Sequence, residues 1–194
     1  AHCFEGEREG LKPGAASDCA IFSFYATKNV TCGEGGAIVT RDADLYARVL
    51  ETRLHGMSAL AVDRFLGGRY NHWDMKRLGT KANLPDLLAA LLPRQIEEVD
   101  KVLAERHRLA ARYRTAFSGG PLRLVSQHQS CKSAEHLFTI GVRHDRRDEA
   151  ITTLNDSGIA VTVNYCSVPE TTFYKRLVPE ASAWSPAARQ WGKE

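Results

Sequence analysis

The chain has 194 residues, 43% of them hydrophobic and 25% charged, with a formal net charge of +3 at pH 7. That is enough sequence for a substantial core in one or two domains, with the ordinary balance of a globular protein. A charge this small, with basic residues scattered among acidic ones, argues against a nucleic-acid partner, and no apolar run approaches the roughly 20 residues that span a bilayer.

The five cysteines, Cys3, Cys19, Cys32, Cys131 and Cys166, are an odd number without a Cys-x-x-Cys pair, and no two histidines stand at His-x-x-x-His spacing. Free, packed thiols in a reducing compartment are expected, which points to the cytoplasm, and no metal site is expected. The chain opens Ala1-His2-Cys3, neither a start methionine nor a signal peptide, and closes on Trp191-Gly192-Lys193-Glu194, just past the start of a helix. The expectation is the middle and end of something longer.

Residues 1–19 carry Gly6, Gly10, Pro13 and Gly14 among charges and read as a loop. The apolar run Ala20-Ile21-Phe22 then ends in small polar residues, passes Lys28, and meets a glycine turn at Gly33-Glu34-Gly35-Gly36. A second run, Ala37 to Thr40, follows. Two strands are expected around a loop holding Ser23, Thr27 and Lys28. Asp42 offers a helix N-cap, and Leu45, Val49, Leu50 and Leu54 repeat at helical spacing before Gly56. Residues 56–82 show no sustained period; Gly67-Gly68 and the cluster Tyr70, His72, Trp73 predict an irregular excursion.

A long helix is expected from Asn83-Leu84-Pro85-Asp86 onward, with Asn83 as N-cap. Leu84, Leu87, Leu88, Leu91, Ile96, Val99, Leu103, Ala110, Tyr113 and Phe117 form its apolar stripe, kinked or split at Pro93. Ser118 to Pro121 ends it. A strand over 137–142, a helix opening at Asp145 and running through Ile151 and Leu154 to a stop at Gly158, and a strand over 159–163 then predict a compact α/β layer. The domain boundary is expected near Phe117, giving 1–117 and 118–194.

A lysine held between strands is a candidate for desolvation, which makes an amine a nucleophile toward carbonyls; otherwise Lys28 is one solvated loop lysine among many. Ser23 and Lys28 can address one ligand, the hydroxyl donating to an anion and the amine attacking a carbonyl. Pyridoxal phosphate is an aldehyde that carries a phosphate, though composition alone does not select it. The Gly33–Gly36 turn lacks the spacing and the Lys-Ser/Thr of a nucleotide-phosphate loop.

The segment from Ser23 to Gly36, Ser-Phe-Tyr-Ala-Thr-Lys-Asn-Val-Thr-Cys-Gly-Glu-Gly-Gly, closely resembles the lysine segment of the DegT/DnrJ/EryC1/StrS sugar aminotransferases. Ala1-His2 resembles the end of that family's Asp-Ala-Ala-His/Gln motif. Gly79 to Asp86 with Ala89-Ala90 is similar to its loop and helix that reach into a neighbouring subunit. Arg94–Glu97 to Ala110–Tyr113 resembles its long connecting helix, and Gly158 through Asn164-Tyr165 to Phe173-Tyr174 its small-domain strand.

The resemblance implies an α/β fold of the fold-type I (aspartate aminotransferase-like) class, present in part: the end of a cofactor-binding large domain, then part of a small domain. It implies pyridoxal phosphate as cofactor and amino transfer from L-glutamate to a nucleotide-linked keto sugar, in polysaccharide or antibiotic sugar biosynthesis, by a homodimer with shared active sites. Lys28 would form the Schiff base and shuttle the proton. Ser23 would bind the phosphate, or else be a turn hydroxyl. His2 would lie beside the cofactor ring, or else fray with the terminus. Asn83 would offer a phosphate contact to the partner subunit, or else cap its helix. His55, Asn164 and Tyr165 would border the sugar pocket, or else serve packing and surface.

Some positions depart from the family pattern. The aspartate that pairs with the pyridine nitrogen would fall two residues before Ala1, Thr80 stands where an aromatic is usual, and Asn164 and Glu170 stand where many members have histidine. Two other functions stay open. One is a sugar dehydratase of the same fold, against which Lys28 argues because histidine replaces the lysine there. The other is a non-catalytic or incomplete chain that folds or dimerises without cofactor.

Overall fold

Short strand pairs and helices organise the computed structural model, which describes residues 2–58, 68–70, 72–143 and 146–193. They form two units, Ala1–His107 with His128–His136, and Arg108–Gln127 with Leu137–Glu194.

In the first unit, β1 (Glu7–Arg8) pairs antiparallel with β5 (Cys131–Lys132), so the segment expected as a plain loop contains a two-residue strand. Glu7 stands opposite Lys132, a favourable cross-strand charge pair. The two strands expected around the lysine are β2 (Cys19–Ser23) and β3 (Gly36–Thr40), antiparallel, with Cys19 opposite Thr40 and Ser23 opposite Gly36. The loop between them is anchored. Phe24, Val30 and Cys32 are buried with Leu92, and Phe4, Phe22, Ala37, Leu84, Leu88 and Val99 pack against them. Phe4 meets Phe22 edge-on at 5.3 Å between ring centroids.

Asp42 caps α1 (Ala43–Thr52) as its position predicts: its carboxylate accepts from the Asp44 and Leu45 N–H groups at 2.8 and 2.9 Å. After α1 the backbone passes very close to the segment before residue 80. A Cβ on Gly79 would lie 2.2 Å from the Gly56 nitrogen, and one on Gly56 would lie 1.7 Å from the Arg77 carbonyl oxygen. Gly56 also takes φ +75°, which side chains disfavour. Residues 59–67 and 71, including Gly67 of the expected excursion, lie outside the described residues.

The expected long helix is three: α2 (Asp86–Ala89), α3 (Leu92–Glu97) and α4 (Val99–Phe117). Pro93 lacks an N–H to bond backward and sits in the first turn of α3, where that N–H has no helical partner anyway. Two expectations therefore fail. Asn83 is not an N-cap, because α2 begins at Asp86 after Pro85. The apolar stripe is not one face, because each helix restarts the phase: Leu87 is 86% exposed, whereas Leu92, outside that stripe, is buried along with Leu103 and Ala110.

In the second unit, β4 (Arg123–Leu124) pairs antiparallel with β6 (Ile140–Gly141), so the strand expected over 137–142 keeps only two residues. Tyr113 and Phe117 stack at 5.9 Å, and Phe138 lies 5.0 Å from Tyr113. The expected helix is α5 (Arg147–Asp156), followed by Gly158 at φ +77°. Asp145, expected to open it, is outside the described residues. Residues 159–163 form no strand: the described residues offer their backbone groups no ladder, and a strand exists only where another satisfies it. A 3-10 turn (Val168–Glu170) leads to α6 (Thr172–Leu177), α7 (Ala181–Trp184) and α8 (Pro186–Trp191). The Arg123 guanidinium lies 3.5 Å over the Trp191 ring, and Arg147 donates to the Gly192 carbonyl at 2.8 Å. Among the described residues no helix is long and apolar enough to cross a membrane.

Candidate active site

Lys28 sits in a loop whose two flanks are held down. Phe24 N–H donates to the Gly35 carbonyl at 2.8 Å, and Cys32 N–H donates to the Phe24 carbonyl at 3.0 Å, which extends the hairpin beyond β2 and β3. A turn closes at the lysine itself, where Lys28 N–H reaches the Tyr25 carbonyl at 2.9 Å. On the far flank, the Thr31 hydroxyl donates to the Phe24 carbonyl at 3.0 Å and accepts from Gly33 N–H at 3.0 Å. Buried Phe24 and Val30 thus bracket a half-buried Lys28 and keep its backbone from drifting.

The lysine Nζ donates to His2 Nε2 at 2.9 Å. The His2 ring lies 4.2 Å from the His136 ring, tilted by 36°. His136 Nδ1 is 2.6 Å from Asn29 Oδ1, and Asn29 is the residue next to Lys28. The Asn29 Nδ2 group donates to both Glu5 carboxylate oxygens, at 3.1 and 3.0 Å, and to the Ala134 carbonyl at 3.1 Å. Glu5 is 4% exposed, so Asn29 supplies hydrogen bonds that a buried carboxylate needs.

Both imidazoles are held below the ordinary value of 6.5. For His2 the causes are loss of solvent and then the Lys28 charge; for His136 they are burial, then His2, Lys28 and Arg106. Both imidazoles are thus biased toward their neutral form beside the Lys28 amine. Such a cluster can accept protons and hydrogen bonds around a nucleophilic lysine.

Sequence reasoning named Lys28 and His2 but gave no role to Glu5, Asn29 or His136. Asn29 stood inside the quoted lysine segment, and a carboxylate five residues into a Gly- and Phe-containing loop was the other available sign. Ser23 is half-buried, and its oxygen accepts from Tyr25 N–H at 3.3 Å. His55 is exposed at φ +59°, its N–H on the Thr80 carbonyl at 3.0 Å. Asn83 is exposed, in a loop tied to the end of α1 through Thr80 and Ala82 N–H bonds to Thr52 and Arg53 carbonyls. Asn164 and Tyr165 are exposed and belong to the second unit.

The model of the DegT/DnrJ/EryC1/StrS aminotransferase family matches residues 1–194. The spore coat polysaccharide biosynthesis protein SpsC of Bacillus subtilis is 33% identical over 186 residues, 93% of this chain and 48% of SpsC. Among solved structures, Spr1654 of Streptococcus pneumoniae, assigned as a sugar aminotransferase and solved in a PLP form, gives a TM-score of 0.86 at 26% identity. That match covers 98% of this chain and 48% of Spr1654. DesV of S. venezuelae, solved in complex with a ketimine intermediate, gives 0.82 at 28% identity over 97% of this chain and 47% of DesV. The chain spans about half the length of the relatives it matches, and what it spans has the fold-type I architecture of those enzymes. It belongs to the DegT/DnrJ/EryC1/StrS aminotransferase family.

Proposed function

We propose that this chain supplies the lysine-bearing part of a pyridoxal phosphate-dependent aminotransferase that moves an amino group from L-glutamate to a nucleotide-linked keto sugar. The observation that carries the reading is the half-buried Lys28 amine, fixed on His2 at 2.9 Å inside a loop pinned on both flanks.

The residues present fit the cofactor. Lys28 is the amine for its aldehyde. The Ser23 oxygen takes the Tyr25 N–H with a lone pair, which leaves the hydroxyl hydrogen to donate to a phosphate. Bound, pyridoxal phosphate supplies an aldehyde for amines to add to and a ring that draws electrons from the carbon being deprotonated. The Lys28 amine would hold the cofactor by its aldehyde, and its Nζ would be placed to take up a proton and give it back. His2 accepts from the lysine and sets the direction of its amine. In the net reaction the amino group replaces the carbonyl oxygen of the sugar, and glutamate leaves as 2-oxoglutarate.

Asn83 serves as a phosphate contact presented to a partner subunit in a homodimer with shared sites; His55 of the first unit serves as a sugar contact, as do Asn164 and Tyr165 of the second. Exposed apolar side chains on either side of the 79–86 loop, Leu78 at 90% and Leu87 at 86%, support that pairing. Residues 1–117 act as the cofactor-binding part and 118–194 as the small domain, save that 108–117 belong to the second unit and 128–136, with His136, to the first. Free cysteines suit a cytoplasmic enzyme.

Pyridoxal phosphate added to the chain and fixed with borohydride is expected on Lys28 alone by peptide mass mapping. Label spread over many lysines would overturn the cofactor reading. Transfer of label from L-[15N]glutamate to a nucleotide-linked keto sugar, read by mass spectrometry with the whole protein, tests the substrates; failure with every such sugar would overturn that part.

A further inference from the structure

Three separated stretches of chain meet at one side-chain amide. Asn29 follows the lysine, Glu5 lies in the segment that carries His2, and Ala134 and His136 come from a stretch more than a hundred residues on. The amide has two unlike ends, and its surroundings admit only one orientation. On one side stand two carboxylate oxygens and a carbonyl oxygen, within 3.0 to 3.1 Å. All three only accept, so turning the amide over would press its oxygen against three others. The Nδ2 group must face them, and Oδ1 must face His136 Nδ1 at 2.6 Å.

We propose that Glu5 and Asn29 form a tautomer lock, which holds the hydrogen of His136 on Nδ1 and leaves Nε2 a bare acceptor beside the His2–Lys28 pair. Asn29 Oδ1 has no hydrogen to give, so the hydrogen of that contact belongs to His136 Nδ1. A neutral imidazole carries only one hydrogen, and Nε2 is then unprotonated. His2 obeys the same rule from the other direction: Lys28 donates to its Nε2, so its hydrogen is on Nδ1. The two tilted rings, 4.2 Å apart, therefore both present an accepting Nε2. A ligand group held by His136 at that atom must bring its own hydrogen, as a hydroxyl or ammonium does, and a bare carboxylate is refused there. Glu5 and Asn29 are positioning residues. They act through His136 and through the backbone that Asn29 shares with Lys28.

Long-range 1H–15N spectra of the 15N-labelled, cofactor-free chain at pH 8 distinguish hydrogen-bearing from bare ring nitrogens. This readout is independent of the proposed aminotransferase reading, which the borohydride label tests. The expected result is His136 in a single form, hydrogen on Nδ1. A His136 with its hydrogen on Nε2, or an even mixture, overturns the lock whether or not any variant folds. Asn29→Ala is expected to lose the single form and show both tautomers, while Glu5→Gln, whose amide oxygen still accepts from Asn29, retains it. An unchanged His136 pattern in a folded Asn29→Ala chain overturns the proposal.

Discussion

Gln95 meets the Thr31 peptide from both sides: its Oε1 accepts from Thr31 N–H at 3.0 Å, and its Nε2 donates to the Thr31 carbonyl at 2.7 Å. The same Nε2 reaches the Leu91 carbonyl at 2.7 Å, which ties the lysine loop to the start of α3. Gln95→Ala strands a partly buried N–H and carbonyl, at a cost of about 1–3 kcal/mol for such groups. Urea denaturation is expected to show a lowered midpoint with an unchanged slope, the product of slope and midpoint shift giving that loss. Attachment of pyridoxal phosphate to Lys28 is expected to slow in the same variant, because the loop is less ordered.

Lys28→Met removes the cation that faces both histidines. Proton spectra of His2 and His136 through a pH titration are expected to show both groups titrating higher than in the parent, with the larger move at His2, where Lys28 stands second only to loss of solvent. An unmoved His2 would contradict the contact.

Stability carries the same signature. Both folded-state values lie below the ordinary 6.5, so below that pH the unfolded chain binds more protons than the folded one. The contribution is fully present above about pH 6.5 and is lost as pH falls through the lowered folded values. Denaturation midpoints are expected to drop between neutral pH and pH 5 in the parent, and to drop less when both histidines are replaced by glutamine.

Gly79→Ala would place a Cβ 2.6 Å from the Thr52 carbonyl oxygen as well as against Gly56, and backbone on both sides leaves no flexible end to move. A loss of about 3 kcal/mol or more is expected in thermal or urea unfolding, in the range of strained backbone substitutions. Asp42→Ala, which removes only a cap, is expected to cost about 1 kcal/mol.

The contrast between those two sites shows what the sequence made legible. Asp42 was readable because a cap acts over three residues, and Pro93 because a missing N–H breaks a helix wherever it falls. The hairpin around Lys28 was readable because its two apolar runs are close in the chain. Gly79 was readable only as a glycine, since the need for it comes from a backbone crossing with Gly56 and Arg77. The strand expected over 159–163 had the right residues and no ladder among the described residues. Glu5, Asn29 and His136 were the hardest. Their hydrogen bonds span 24 and 107 positions, and polarity matching across such distances leaves no local pattern.

The junction at Asn29 also makes those three positions energetically inseparable. Removing Asn29 strands Glu5, His136 and the Ala134 carbonyl, and removing Glu5 or His136 takes partners from one end of Asn29, so the losses cannot be summed as independent steps. A double-mutant cycle between Glu5 and His136, which are joined through Asn29, would register a coupling of about 0.5–3 kcal/mol. The stretch that bears His2 and the stretch that bears His136 thus sense each other's changes through the neighbour of the lysine, and any engineered alteration of one has to be balanced at the other.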